Sequence, residues 1–347
     1  MKRYLYIEWL RVLSALAVVA IHVLTHYLGG FPLKSDRWVV TMILKHMTHF
    51  CIPTFFMISG ALLLQPNDFS YGQFIKKRFT RILYPFLIWS FVHYIVILVS
   101  LNGASFSFVT FFKLTISNGV SSQYWYVYAT LILYLLLPFM GKLIASLSRE
   151  ELKILIGIMV LINLILPFVK QLLNTFTDWT ITTYNMASLG AYVTYAIIGY
   201  YLHTMEIPSN KTRFIVAVGG VLSFALICLL CWKVSVNKYD NTFGENKYPL
   251  ACIMSVALFI VVRGICETRN TENPKIISLL STNSYTAYLT HMMYLRLIQA
   301  VLTTKYVVSL SKPLSGMAML GEFVSACIAC FGTAFLAHRI PKISKYL

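Results

Sequence analysis

Charge is scarce in this chain of 347 residues: only 12% of its residues are charged, against roughly 25% in ordinary soluble domains. Acidic residues are the scarcest, with 12 Asp and Glu against 29 Lys and Arg. Long hydrophilic segments are missing as well, because apolar runs recur along the whole length. These absences exclude a separate soluble domain. What remains, 58% hydrophobic residues, indicates one integral-membrane domain over residues 1–347.

The apolar runs are long and continuous, which favours membrane-spanning helices over short alternating strands. Runs of about 20 residues are long enough to cross a bilayer. We therefore predict an all-α polytopic protein with about ten transmembrane helices, at 9–28, 39–64, 82–101, 124–140, 152–169, 187–205, 213–233, 249–266, 284–304 and 316–337.

The excess of basic residues predicts the orientation of these helices. With an even number of spans, one set of loops and both termini hold about twice as many Lys and Arg as the other set. Both termini are therefore expected to be cytoplasmic. Because basic loops explain the net charge of +17, no nucleic-acid partner is expected, and the lipid bilayer is the predicted partner.

Cysteine and histidine pairs do not predict a metal site. The two C-x-x-C pairs, "CLLC" and "CIAC", lie inside apolar runs without a nearby His or acid. Zinc needs four ligands, so we interpret these cysteines as packing residues. His46 and His49 are three residues apart, but two imidazoles without a third ligand are weak evidence for a metal.

The first apolar run, "EWLRVLSALAVVAIHVLTHY", carries four polar side chains on one face. At 100° per residue, Arg11 and His22 are separated by eleven steps and share a face about 16 Å apart. Glu8 and His26 lie one turn outside them. Charges within a span are costly and normally face the protein interior, so this stripe predicts a functional site.

Arginine and histidine suit two steps of group transfer. The guanidinium of Arg11 can bind an oxyanion bidentately, and Glu8 can orient it. The imidazole of His22 can remove a proton from a hydroxyl near neutral pH, or carry an acyl group transiently. The alternative is that Arg11 extends to the interface and His22 is a packing residue with a hydrogen-bonded neighbour.

Three further stretches give candidate residues, each with an alternative interpretation. In "HFCIPTFFMISGALL", Pro53 predicts a kink, and Ser59 either lines a cavity or, with Gly60, packs at a close helix approach. In "IKKRFTRIL", Lys77, Arg78 and Arg81 can hold the phosphates of a soluble cofactor such as coenzyme A, or fix the topology. Trp125 in "YWYVYA" fits either a cavity wall or an interfacial aromatic belt.

A late span, "STNSYTAYLTH", carries a broad polar face. Its members are Ser281, Ser284, Tyr285, Tyr288 and His291. They predict a lined cavity or, as the alternative, hydrogen bonding between helices. Nearby, we expect Arg296 and Glu322 to form a structural ion pair.

Taken together, these motifs resemble the acyltransferase-3 family of integral-membrane O-acyltransferases over nearly the whole chain. The motifs on which this resemblance rests are "RVLSALAVVAIH", "PTFFMISG", "KKRFTRIL", "YWYVYA" and "SYTAYLTH". Within the family, the chain is most similar in kind to the single-domain inner-membrane enzymes that O-acetylate bacterial surface polysaccharides such as enterobacterial common antigen. One departure is Glu8, where many members have Asp.

The resemblance implies a bacterial inner-membrane O-acetyltransferase. Acetyl-CoA is the implied donor, on the cytoplasmic side, and no metal is expected. The acceptor is a hydroxyl of a cell-envelope glycan or of its lipid-linked precursor. Arg11 and His22 are the implied essential pair, while the oligomeric state, including a homo-oligomer, is left open. The alternative within the same family is a transporter, for uptake of a small polar solute or export of polysaccharide.

Overall fold

The computed structural model describes residues 4–65, 70–181, 188–269, 274–305 and 315–340. Every regular element in these ranges is a helix, which confirms the predicted all-α class. The helices are α1 Leu5–Gly30, α2 Asp36–Met47, α3 Cys51–Leu63, α4 Tyr71–His93, α5 Phe108–Ile116, α6 Trp125–Ser146, α7 Arg149–Val160, α8 Leu166–Phe176, α9 Ser188–Thr204, α10 Asn210–Val234, α11 Pro249–Arg269, α12 Lys275–Lys305 and α13 Ser315–His338.

Eight helical segments in the described part of the chain are long and apolar enough to cross a membrane. The chain is therefore a multi-pass membrane protein. Two of the ten predicted spans, at α9 and α12, are not among the eight, so the count of ten stays a prediction. The cytoplasmic placement of the termini also stays a prediction, and residues 1–3 and 341–347 lie outside the described ranges.

Serine side chains fix where several helices begin. Ser70 accepts a hydrogen bond from the backbone N–H of Gln73 at 3.3 Å and starts α4. Ser148 accepts from the N–H of Glu151 at 3.2 Å, and the Glu151 carboxylate accepts from the Ser148 N–H at 2.7 Å. This reciprocal capping satisfies backbone donors that a helix start otherwise leaves without partners.

Some helices depart from regular α geometry, and two predicted spans are divided. The predicted span 152–169 becomes α7 and α8, which a π-helix over Leu161–Ile165 joins. The predicted span 39–64 breaks into α2 and α3, and Pro53 lies in the first turn of α3, where its missing N–H removes no helical bond. The expected kink at Pro53 is thus a helix break before it. After His93, α4 continues as a π-helix over Tyr94–Leu101, where the Asn102 N–H bonds to the Ile97 carbonyl at 2.9 Å.

The chain divides into two compact units. The first unit contains the start of α1, helices α2 and α3, the second half of α6, and α7 to α11. The second unit contains the rest of α1, helices α4 and α5, the first half of α6, and α12 and α13.

Close backbone contact between α3 and α9 organises the first unit. A Cβ on Gly60 would overlap the carbonyl of Ala196, and a Cβ on Gly199 would overlap the carbonyl of Met57. Small residues at such a crossing let helix backbones approach closely. The close approach that Ser59-Gly60 predicts is therefore confirmed.

Arg263 of α11 completes the carbonyl end of α9 in the same unit. Its guanidinium donates to the carbonyl of Leu202 and, at 3.0 Å, to that of Met205. Its Nε also donates to the Glu267 carboxylate at 2.9 Å. The last turn of a helix lacks internal partners for its carbonyls, so this buried arginine ties α9 to α11.

Candidate functional site

The predicted polar stripe lies on one uninterrupted helix, α1. Glu8 is buried, Arg11 and His22 are half-buried, and His26 is exposed. Because α1 is continuous, the eleven residues from Arg11 to His22 correspond to about 16 Å along its axis. The predicted spacing of the two side chains therefore holds.

His22 contacts His291, and this contact is the centre of the candidate site. The two imidazole centroids are 5.2 Å apart, with the rings tilted by 39°. His291 is fully buried, and its Nδ1 is 2.5 Å from the carbonyl of Tyr288. Since a carbonyl can only accept, Nδ1 carries the proton. The other ring nitrogen, Nε2, is then an acceptor when the ring is neutral, and no hydrogen bond to it is found in the described ranges.

Neighbouring tyrosines hold α12 in place through backbone carbonyls. The hydroxyl of Tyr285 donates to the carbonyl of Ile82 at 2.9 Å. The hydroxyl of Tyr124 donates to the carbonyl of Leu289 at 3.0 Å, and that of Tyr288 donates to the carbonyl of Gln123. These bonds match the alternative interpretation of the polar face, hydrogen bonding between helices, and they set the position of His291.

An open cavity of about 500 Å³ lies beside His22 in the second unit. Its wall comes from α1, from the end of α4 and from α12. The lining residues are His22, Thr25, His26, Leu101, Asn102, Met292, Leu295, Arg296 and Gln299. The volume falls within the range of small-molecule sites. Because His22 lines this cavity, a ligand bound there can bring a hydroxyl group to the His22 imidazole.

The predicted ion pair between Arg296 and Glu322 is wrong. The buried Glu322 carboxylate instead accepts a hydrogen bond from the Gln299 amide at 2.7 Å, and Tyr27 lies beside it. Gln299, on the same helix as Arg296, is thus the hydrogen-bond partner of this carboxylate in place of the guanidinium. Arg296 is left at the cavity wall.

His93 is a candidate that the sequence analysis missed. It is buried on α4, its ring centroid lies 5.9 Å from that of Tyr124, and neither ring nitrogen has a hydrogen-bond partner in the described ranges. Ser90, one turn earlier, is also fully buried. A lone histidine in an apolar span is the signal that could have found it, because intramembrane ionisable groups usually face a functional interior.

The remaining predicted site residues are not among those that line this cavity. Lys77 and Arg81 are exposed on the first turns of α4, and the half-buried Arg78 guanidinium lies 5.8 Å from the Phe74 ring. Ser59 is buried in α3, where it donates to the Phe55 carbonyl at 3.1 Å. Trp125 is half-buried at the start of α6.

A second histidine pair lies in the first unit, at the end of α2. His46 Nδ1 and His49 Nε2 are 2.9 Å apart, and the two rings stack. Lys45 beside them donates to the Tyr239 hydroxyl at 2.8 Å. Burial raises the pKa of the Tyr239 phenol, so this hydroxyl stays protonated. Within the described ranges, no three His, Cys, Asp or Glu side chains are grouped to hold a metal ion.

Comparison with known proteins identifies one family. The family model described as "Acyltransferase domain" matches residues 4–339, which is nearly the whole chain. No curated protein and no solved structure shows significant similarity to the chain.

Proposed function

This chain belongs to the acyltransferase-3 family, and we propose that it is a membrane O-acetyltransferase. It moves an acetyl group from acetyl-CoA to a hydroxyl of a cell-envelope glycan or of its lipid-linked precursor, at the bacterial inner membrane. The family implies acyl transfer in general. The choice of acetyl-CoA, the glycan and the inner membrane belongs to the proposal, as does a narrower likeness to enzymes that modify enterobacterial common antigen.

One observation carries this proposal: His22 lies at the wall of an open cavity and against the buried His291. A general base must reach the proton it removes, and a cavity gives the acceptor that access. His291 acts as a positioning residue, because its Nδ1 is held by the Tyr288 carbonyl and its Nε2 is directed away from that bond. The neutral Nε2 can then accept a hydrogen bond from the imidazolium that forms on His22, which keeps the proton on His22.

The proposed reaction needs two proton transfers, one from the acceptor hydroxyl to His22 and one from His22 to the leaving thiolate. His22 takes the proton of the acceptor hydroxyl as the hydroxyl oxygen attacks the acetyl carbonyl carbon. The carbon–sulfur bond of the thioester then breaks, and the thiolate of coenzyme A leaves with the proton that His22 returns. A histidine that carries the acetyl group itself is the covalent variant of the same step.

The basic residues at the start of α4 are the proposed contact for the donor. Lys77 and Arg81 are exposed one turn apart, and Arg78 lies between them. Exposed cations suit the phosphates of coenzyme A. Arg11, on α1, is the second proposed oxyanion contact, with Glu8 one turn before it to orient the guanidinium.

The test supplies membranes with acetyl-CoA labelled in the acetyl group and measures label in the glycan. We expect His22→Ala to lower transfer by at least about a hundredfold, the usual contribution of a general base. His338→Gln, a half-buried histidine at the end of α13, is the matched control and should keep wild-type transfer. Full labelling of glycan by His22→Ala would remove His22 from the reaction.

Transport is the competing outcome of the same preparation. The family match does not favour it, because the family is described by acyltransferase activity. Solute uptake into proteoliposomes that contain no coenzyme A, together with no release of free thiol in membranes, would replace the proposed function with transport.

A further inference from the structure

The cavity beside His22 has an unusual balance of charge. Its polar lining consists of one guanidinium, two imidazoles, two carboxamides and a hydroxyl. No carboxylate is among the lining residues, and no carboxylate in the described ranges forms an ion pair with Arg296. A guanidinium placed at such a cavity without a protein counter-ion favours an anionic ligand.

The nearby acidic residue Glu322, on α13, bonds to Gln299 and does not form an ion pair with Arg296. Its carboxylate is buried, is not among the lining residues, and accepts from the Gln299 amide at 2.7 Å. The bond fixes the Gln299 side chain, which lines the cavity. Gln299 is therefore positioned by α13, and the positive charge of Arg296 is kept for the cavity.

His22 and Arg296 line the same cavity, whose volume is about 500 Å³. One ligand in this cavity can therefore contact both side chains. A single sugar can therefore present one hydroxyl to His22 and an attached oxyanion to Arg296.

We propose that this cavity is the acceptor subsite and that it selects a sugar bearing an oxyanion, either a phosphate or a carboxylate. Arg296 binds the oxyanion, while the carboxamides of Asn102 and Gln299 bind sugar hydroxyls. The apolar side chains of Leu101, Met292 and Leu295 contact the ring face. This inference rests on the proposed function, and it narrows the acceptor from any glycan to an anionic one.

Binding of small probes tests the subsite without any transfer. The full chain is reconstituted in nanodiscs of phosphatidylcholine, which has no net charge, and is titrated with glucose 1-phosphate, glucuronate, glucose and inorganic phosphate. We expect glucose 1-phosphate, glucuronate or both to bind at least tenfold more tightly than glucose. The stronger of the two identifies the source of the oxyanion. Inorganic phosphate should bind more weakly than glucose 1-phosphate, because it cannot reach the carboxamides.

Three variants connect this binding to Arg296. Arg296→Gln should weaken the charged probe about tenfold to a hundredfold, the effect of losing a charge-assisted bond. Arg296→Lys keeps the charge without the planar fork, so an intermediate loss is expected. If Arg296→Gln does not fold, the affinity of Arg296→Lys for the charged probe still tests the role of Arg296. Arg149→Gln, an exposed arginine at the start of α7 with no role in either proposed site, should bind the probe as the wild type does.

Two outcomes would overturn the inference: glucose binding as tightly as both charged probes, or unchanged probe affinity in both Arg296 variants. Inorganic phosphate binding as tightly as glucose 1-phosphate would overturn the sugar subsite. The His22→Ala variant distinguishes a failure of the acceptor subsite from a failure of the proposed acetyl transfer. If His22→Ala still transfers acetyl groups, the proposed function fails while probe binding can stand. If the Arg296 variants bind normally, the acceptor subsite fails while transfer can stand.

Discussion

Replacing Gly60 or Gly199 with alanine should destabilise the contact between α3 and α9. In each case the added methyl would overlap a backbone carbonyl of the other helix, Ala196 for Gly60 and Met57 for Gly199. A backbone atom cannot rotate away as a side chain can, so the helices must separate. Overpacking of this kind costs about 1–3 kcal/mol. The better helix propensity of alanine returns only about 1 kcal/mol.

The net loss expected for either single variant is about 0–2 kcal/mol, or a fall of up to roughly 8 °C in apparent Tm. The double variant should lose less than the sum of the two, because one separation of the helices makes room for both methyl groups. Thermal unfolding of the purified protein in detergent, followed by tryptophan fluorescence, measures both effects.

Gly219→Ala is the matched control, since Gly219 lies within α10 and a Cβ there would meet nothing within 4 Å. It should unfold at or slightly above the wild-type temperature. The reasoning is refuted if Gly60→Ala and Gly219→Ala unfold at the same temperature, or if the double variant shows the full sum of the single effects.

Two further predictions concern the ends of helices. Arg263→Gln should lower apparent stability by about 2–3 kcal/mol, since it removes bonds to the carbonyl end of α9. Glu267→Gln, which removes only a partly exposed ion pair, should cost under about 1 kcal/mol; equal losses in thermal unfolding would contradict this order. At the start of α4, Lys77→Gln with Arg81→Gln should raise KM for acetyl-CoA severalfold and leave kcat nearly unchanged, because exposed cations assist binding more than chemistry. An unchanged KM at low ionic strength would exclude this donor contact.

Composition was enough to predict the helical membrane class, because a long apolar segment in lipid must satisfy its backbone hydrogen bonds internally, as a helix does. Boundaries were harder to predict. The run at 39–64 is apolar enough to be read as one span, yet backbone turns at Thr48 and Cys51 divide it into α2 and α3. Helix α4 begins at Tyr71, well before the predicted start at 82, because the Ser70 cap and the basic first turns extend it past the apolar run.

The relative positions of residues on one helix could be predicted from the sequence, whereas contacts between residues of different helices could not. Arg11 and His22 lie on one helix, so their spacing follows from helix geometry alone. The partner of Glu322 depends on which side chain of α12 faces α13. One sequence alone does not show that Gln299, and not Arg296, bonds to the carboxylate. The contact between His22 and His291 likewise depends on the packing of α1 against α12, although both residues were singled out.

The π-helix that ends α4 determines which groups the chain brings to the rim of the cavity. Over Tyr94–Leu101 each backbone bond closes a wider loop than in an α-helix, so each residue advances the turn by a smaller angle. Leu101 is the last residue of this segment and Asn102 follows it, and the direction of both side chains depends on that accumulated difference. Removing a single residue from this segment would restore ordinary winding and rotate a different pair of side chains toward the ligand. The side chains at the rim of this cavity can therefore change by a shift of helical phase, without any substitution at the rim itself.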